Sequence, residues 1–437
     1  MRHALLVVAF CASTAQAQEP LRLTLEEAQA RAREASHRLA ELRAREAAAG
    51  AAVEASAAAD RPQVALQGGY SRTSHVQPFA VPGIGGSVGP GLIIYPDVPD
   101  NWRTRVDLQW PIYTGGRTDA LERAARAEAS AAGADVASAS ADLRLEVARA
   151  FWALVTARSS VSVLERAVER AQAHVRDVRQ RLDAGLIPPN EVASAEAQES
   201  HERMLAIEAR TQRDVASAEL ARLIGASVLT PIEPAATLDA PAGPTGALDA
   251  LVADARSNRD DRRALERHIE ASDERVSAAA AAAFPVVGIA GGFDYARPNP
   301  RVFPRADRWD DFWEIGVNVS WLLWDGGRRK ADEAQAAAGA EALRKRLDEF
   351  DSVLALEVRQ RLLEIESGRA AVEAANDAVR SAEEARRVVA ERFAAGVVTN
   401  IEVLDAQLAL LTAELERTRA LANLRLSEAR LVRASGR

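Results

Sequence analysis

A chain of 437 residues, with 27% charged and only 5% aromatic residues, is long enough for two or three ordinary domains. Its formal charge is −8, one unit more negative once Arg2 is removed, which argues against nucleic acid as a partner. No stretch offers about 18 consecutive apolar residues, so no transmembrane helix is expected.

Met1–Ala17 reads as a secretory signal. Arg2 and His3 form a short basic start, Ala4–Ala12 an apolar run, and Ala15-Gln16-Ala17 a small-x-small cleavage site. Cys11 is the only cysteine; Phe10 precedes it where a lipidated N-terminus wants a small residue. The mature chain therefore has no disulfide, thiol chemistry or cysteine-based metal site.

Leu25–Ala59 is a helical stretch, stopped by Asp60-Arg61-Pro62. Residues 64–74 form a strand, with Val64, Leu66 and Tyr70 on one face and Gln67, Gly69, Ser71 and Thr73 on the other. His75–Asp100, rich in proline and glycine, reads as an irregular loop. The next strand, 103–113, lies in NWRTRVDLQWPIYTGGR. Trp102, Thr104, Val106, Leu108, Trp110 and Ile112 alternate there with Arg103, Arg105, Asp107 and Gln109. Gly115-Gly116-Arg117 then opens a helix over 117–183, roughly 100 Å long at 1.5 Å per residue. A turn at Gly185 leads to a helix over 189–223.

After a proline-rich linker, 226–247, the order repeats. Leu248–Ala283 is helix and 286–296 strand, followed by a shorter loop. The second strand, 313–324, alternates in the same phase, with Trp313, Ile315, Val317, Val319, Trp321 and Leu323 against Glu314, Gly316, Asn318 and Ser320. Gly326-Gly327-Arg328 opens a helix over 328–394, and a turn at Gly396 leads to a helix over 400–432. Leu25, Pro62 and Gly69 recur 223 positions on, at Leu248, Pro285 and Gly292. Trp110, Gly115, Gly185 and Gly225 recur 211 positions on, at Trp321, Gly326, Gly396 and Gly436. The repeats, 18–225 and 248–437, therefore differ mainly in the loop between their strands.

Alternating strands suit either a soluble sandwich or a membrane barrel. The aromatics favour the barrel. Of the seven tryptophans only Trp152 lies outside the strands and their loops, and all four tyrosines lie inside. Such clustering fits girdles at two membrane interfaces, formed by Trp102, Trp110, Tyr113, Trp313, Trp321 and Trp324. The long helices carry a second period. Leu143, Val147, Ala150, Leu154, Ala157, Val161, Leu164, Val168, Ala171, Val175, Val178 and Leu182 make an unbroken heptad seam. The second copy keeps the seam with lapses at Arg361, Gly368 and Arg386.

Two repeats supply four strands, which cannot close a barrel, and an open edge cannot sit in lipid. Three copies would supply twelve. With the leader, the duplication, the strand–Gly-Gly-Arg–helix junctions, the turns Arg181-Leu-Asp-Ala-Gly185 and Arg392-Phe-Ala-Ala-Gly396, and the tail Glu402-Val-Leu-Asp-Ala-Gln407, nearly the whole mature chain resembles the TolC family of outer-membrane efflux proteins. The resemblance implies an α+β membrane fold. In it a trimeric twelve-stranded outer-membrane β-barrel, four strands per chain, continues into a periplasmic α-helical barrel. It also implies a passive export duct with no cofactor, partnered by a periplasmic adaptor and an inner-membrane transporter. A secreted or periplasmic coiled-coil scaffold with a soluble β domain is the competing reading.

Function would sit at three places. The turns, with Arg181, Ala184, Gly185 and Leu186 and with Arg392, Ala395, Gly396 and Val397, are glycine-capped helix ends; the resemblance makes them the adaptor-docking tip. Glu402 and Asp405 share one face at a helix start. If symmetry copies converge there, they ring a constriction that favours cations. Val398 stands where some members of the family carry an arginine latch, so the resemblance supplies no closed-state lock here. Gly115, Gly116, Gly326 and Gly327 mark the passage from strand to helix. Gly85-Gly-Ser-Val-Gly89 fits a nucleophile pattern by letter but lacks the strand-to-helix setting that chemistry needs, and the histidines show no metal-ligand spacing.

Overall fold

The computed structural model describes residues 20–81, 92–239, 243 and 246–437. The leader with Cys11, and Gly85–Gly89, lie outside them. In chain order the elements begin with β1 (Leu21–Leu23), α1 (Leu25–Ala35), α2 (His37–Ala57), β2 (Gln63–Arg72), β3 (Phe79–Val81), β4 (Leu92–Tyr95) and β5 (Asp100–Tyr113). Helices α3 (Arg117–Asp183) and α4 (Pro189–Leu223) and strand β6 (Ile232–Pro234) complete the first copy and its link. The second copy holds α5 (Leu248–Asn258), α6 (Asp260–Ala280), β7 (Val286–Arg297), β8 (Asp310–Ser320), α7 (Arg328–Ala394) and α8 (Asn400–Ala434). No helix among the described residues is long and apolar enough to cross a membrane.

Each helical stretch that precedes a strand is two helices rather than one. Ser36 is extended, with ψ 111°, and its hydroxyl accepts from the Leu39 N–H at 3.3 Å, so it ends α1 and caps α2. Arg259, likewise extended with ψ 117°, ends α5 before α6 begins at Asp260. Its side chain explains why the break is tolerated: it is 8% exposed and forks onto Asp261 (Nε–Oδ1 3.0 Å, Nη2–Oδ2 2.7 Å), with Nη1 on Glu357 at 2.9 Å.

The chain divides into two compact units. One, Arg43–Ala134 with Arg262–Glu349, holds the main sheet. It is antiparallel in the order β2-β5-β7-β8, so the central pair joins one strand from each copy. The register runs Leu66↔Val106, Val106↔Phe293 and Phe293↔Trp313, which puts the apolar residues of all four strands on one face. The strand bounds differ from those read in the sequence. Strand β5 starts at Asp100 because Arg72 and Ser71 pair with Asp100 and Asn101. At the other edge β8 ends at Ser320, which pairs with Val286. Pro285 precedes Val286 and has no N–H to continue the ladder, so Trp321–Trp324 are not strand. The irregular loop 75–100 also proves to contain a hairpin, β3 with β4.

The other unit gathers the described residues up to Leu42 with Asp135–Asp261 and Phe350–Arg437. The heptad seam of α3 forms its core: Val147, Leu154 and Val178 are fully buried, and Leu143, Val161, Leu164 and Val175 nearly so. Phe151 and Val155 widen that stripe and pack with Leu39 and Leu220. In the second copy Leu354, Val358 and Ile365 bury against Leu251, Leu424 and Leu431. The lapse at Gly368 has a packing reason. A β-carbon there would lie 3.3 Å from Leu424 Cδ1, so the missing side chain lets α8 approach. The linker is less irregular than its prolines suggest. Strand β6 pairs in parallel with β1, and Arg425, 7% exposed, donates through Nε and Nη2 to the Leu238 carbonyl.

Candidate functional site: two helical turns, a sheet face and their junctions

The two turns are built alike. After α3, Gly185 takes φ +71°, its N–H bonds to the Leu182 carbonyl (2.8 Å), and the Leu186 N–H bonds to that of Arg181 (2.9 Å). After α7, Gly396 takes φ +73°, with Phe393 (3.0 Å) and Arg392 (2.9 Å) accepting from Gly396 and Val397. This paired closure of helix ends needs a left-handed residue, hence glycine. The turns lie side by side. Arg181 Nη1 donates to the Phe393 carbonyl at 3.0 Å, its guanidinium sits 4.2 Å from the Phe393 ring centre, and Nε lies 3.4 Å from Asp177. Beneath them Val175, Val178, Val192, Phe393 and Val403 form one apolar cluster. Ala184, Leu186, Ala395 and Val397 are exposed, as is Arg392.

Glu402 and Asp405 stand a few residues further on, both exposed. Glu402 acts locally. Its Oε1 accepts from the Thr399 N–H at 3.2 Å and hydroxyl at 3.3 Å, closing the first turn of α8. The Asp405 carboxylate has no partner among the described residues and points to solvent.

A third cluster at the turns escapes sequence reading. His174, 8% exposed, is separated from Asn400 by 226 residues, yet its Nε2 lies 2.6 Å from Asn400 Oδ1. No spacing rule reaches over that interval.

On the sheet, the apolar face is bare: Val64, Leu66, Ile315, Val317 and Val319 are each between 62% and 72% exposed. A sandwich would bury them under a second sheet. Trp102 and Trp110, both on this face, are eight residues apart, about 27 Å along a strand. That separation is of the order of the apolar band of an outer-membrane barrel, about 25 Å. Trp102, Tyr113, Trp313 and Trp324 are exposed as well.

The opposite face carries charge. Arg103 Nε meets Asp294 Oδ1 at 2.6 Å. Arg105 meets Asp107 through Nε and Asp294 through Nη1, both at 2.6 Å, and Glu314 through Nη2 at 3.1 Å. Arg301, from the loop after β7, also pairs with Glu314. Asp294, at 2% exposure, is buried beneath these guanidiniums. The alternation of polar residues marks each of these side chains as facing one way. Only the strand order β2-β5-β7-β8 shows which of them meet.

The junctions follow the duplication. Gly115, Gly116, Gly326 and Gly327 all have positive φ, between 68° and 92°. Gly115 is crowded as well: a β-carbon there would lie 2.6 Å from Phe284 Cβ. The indole N–H of Trp110 donates to the Asp60 carbonyl, and that of Trp321 to the Ala283 carbonyl, each at 3.1 Å. Each tryptophan thus ties a strand end to the helix end that precedes its partner strand, the use of an aromatic ring with a polar tip at a wet boundary.

Comparison with known proteins agrees with this architecture. The outer membrane efflux protein family matches residues 28–226 and 251–437. Protein CyaE of Bordetella pertussis is 26% identical over 336 residues, 76% of this chain and 70% of that protein. The outer membrane protein VceC of Vibrio cholerae superposes with a TM-score of 0.77 at 20% identity, over 94% of this chain and 96% of VceC. The outer membrane channel CmeC of Campylobacter jejuni superposes with a TM-score of 0.79 at 16% identity, over 94% of this chain and 85% of CmeC. The chain belongs to the outer membrane efflux protein family, a family of passive channels rather than enzymes, and serves as an efflux channel in the outer membrane of a Gram-negative cell, reaching into the periplasm.

Proposed function

We propose that three copies of this chain join edge to edge into a twelve-stranded barrel, and that the two turns form the periplasmic tip of the duct. The observation that carries this reading is the sheet itself. Strands β2 and β8 are edges with no partner strand among the described residues, one face is apolar and bare, and the other bears an ion cluster around the buried Asp294. Unpaired edges cost several kcal/mol per backbone group in hydrocarbon, so strands of neighbouring copies must satisfy them. The apolar face then meets outer-membrane lipid and the charged face lines a water-filled lumen.

At the turns, the exposed side chains of Ala184, Leu186, Ala395 and Val397 offer a small apolar surface to a periplasmic adaptor, which joins the duct to an inner-membrane transporter. Arg181 and Arg392 flank it. Glu402 and Asp405, repeated by symmetry, form a ring of carboxylates that favours cations. The duct needs no cofactor, and its net negative charge gives nucleic acid no purchase.

Planar-bilayer recordings test the ring. The double variant Glu402→Gln, Asp405→Asn keeps an acceptor for Thr399 while removing both charges, so capping and selectivity separate. Cation preference and block by multivalent cations should both weaken; unchanged values refute the ring. Crosslinking in cells from cysteines at Ala184 or Ala395 tests the tip, and capture of a periplasmic adaptor is the expected product. Capture of other proteins alone refutes it.

A further inference from the structure

The two turns are held by two different kinds of contact. The first is a guanidinium contact: Arg181 donates to the Phe393 carbonyl and stacks on the Phe393 ring. The second turns on an imidazole. Asn400, 2% exposed at the start of α8, donates from Nδ2 to the Glu191 carbonyl of α4 at 3.1 Å. Its Oδ1 therefore faces His174 of α3, so the neutral imidazole carries its proton on Nε2 and donates it at 2.6 Å. The His174 ring also packs at 5.4 Å against that of Phe393, from α7. One imidazole thus touches, directly or through Asn400, all four helices that meet at the turns.

We propose that His174 and Asn400 form an acid-released clasp between the α3–α4 and α7–α8 turns, closed at neutral pH and loosened when the imidazole takes a second proton. The inference rests on the reading of these turns as the periplasmic mouth. The surroundings disfavour a charged ring. Burial holds its pKa below the ordinary 6.5, and Arg181 on the same helix acts in the same direction. The hydrogen bond to Asn400 and the charge of Asp177 oppose this and do not outweigh it. The facing elements bring no further charge onto the ring: α7 presents Phe393, α8 presents Asn400, and α4 presents Glu191 through its main-chain carbonyl. The sign follows. A histidine that binds its proton less well when clasped supports the clasp fully above its ordinary pKa, and that support is lost as pH falls from 6.5 towards the lowered value. Within that window the closed-to-open ratio falls by up to tenfold per pH unit.

Paired spin labels on cysteines at Ala184 and Ala395 of the full-length trimer, one labelled chain per trimer, read the clasp alone. Conductance of the same protein in planar bilayers reads the mouth. Between pH 7.5 and pH 5.0 the distance distribution should widen, and His174→Gln, whose amide can donate to Asn400 without titrating, should abolish the change. Asn400→Asp, which gives a charged imidazole a carboxylate partner, should abolish or reverse it and serves if the glutamine variant fails to assemble. Constant distances in the unsubstituted protein, or an undiminished acid response in both variants, overturn the clasp. Distances that widen as expected while conductance stays constant uphold the clasp and remove the turns from the mouth.

Discussion

Gly225 and Gly185 offer a controlled comparison, because they share a motif and differ in one contact. Gly225 has φ +72° and closes α4 as Gly185 closes α3, with the Ala226 N–H on the Ala221 carbonyl at 2.9 Å. An alanine at either site must hold a left-handed backbone, which costs about 1–2 kcal/mol. At Gly185 that is the whole cost, since nothing lies within 4 Å of the new β-carbon. At Gly225 the β-carbon would sit 2.4 Å from Ala35 Cβ, at the end of α1. Forcing an extra methyl into packed structure adds about 1–3 kcal/mol, for a total of roughly 2–5 kcal/mol. Amide hydrogen exchange in the detergent-solubilised channel measures this locally. Gly185→Ala should speed exchange at Leu186 by about 5–30-fold, and Gly225→Ala at Ala226 by about 30-fold or more. Adding Ala35→Gly vacates the space, so the double variant should recover about 1–3 kcal/mol relative to the sum of the single changes. Equal losses at both glycines, or no coupling between Gly225 and Ala35, would falsify the packing argument.

Two further outcomes are expected. Arg259→Met should destabilise the helical unit by roughly 3 kcal/mol, the low end of the range for breaking a buried pair, because Asp261 and Glu357 keep a quarter to a third of their side chains in water; Arg259→Lys should not rescue it, since an ammonium cannot fork onto both Asp261 oxygens, and chemical denaturation monitored by circular dichroism would expose either error. Glu202 is 1% exposed with Oε2 unpartnered, and burial raises its pKa above the ordinary value, so it favours the fold at low pH and loses that contribution as pH rises. Glu202→Gln should therefore raise the thermal midpoint at pH 7.5, by roughly 1–3 kcal/mol in stability, with the gain gone below about pH 4.5; a gain that does not depend on pH contradicts this.

What could be read from the sequence was what depends on near neighbours along the chain. The heptad seam of α3 lies within one helix, so Leu143 to Leu182 predict its buried side, while Gly116 and Gly185 bound its length. Gly185 and Gly396 punctuate helices for a local steric reason, and the alternation Trp102–Ile112 fixes the faces of a strand whatever it pairs with. The break at Ser36 was not legible, because serine is tolerated within helices until its side chain is seen capping a new one. Nor was the end of β8 at Ser320, set by Pro285 just before the opposing strand begins. The ion cluster and the His174–Asn400 contact depend on elements more than 180 residues apart, which no periodicity connects.

The ion cluster also bears on the history of the duplication. By the offset that relates Trp110 to Trp321, Arg103 and Glu314 occupy the same position in the two copies, yet they carry opposite charges. Both project from strands that flank β7, and both join the cluster built around Asp294 and Arg105. Two identical copies would place like charges on either side of that centre. Replacing the first half by a duplicate of the second would put glutamate at 103 and glycine at 105, taking both guanidiniums from the buried Asp294; the reverse replacement would put arginine at 314 and serine at 294, removing the centre itself. The repeat persists as a shape, while its halves have become complementary parts that can change only together.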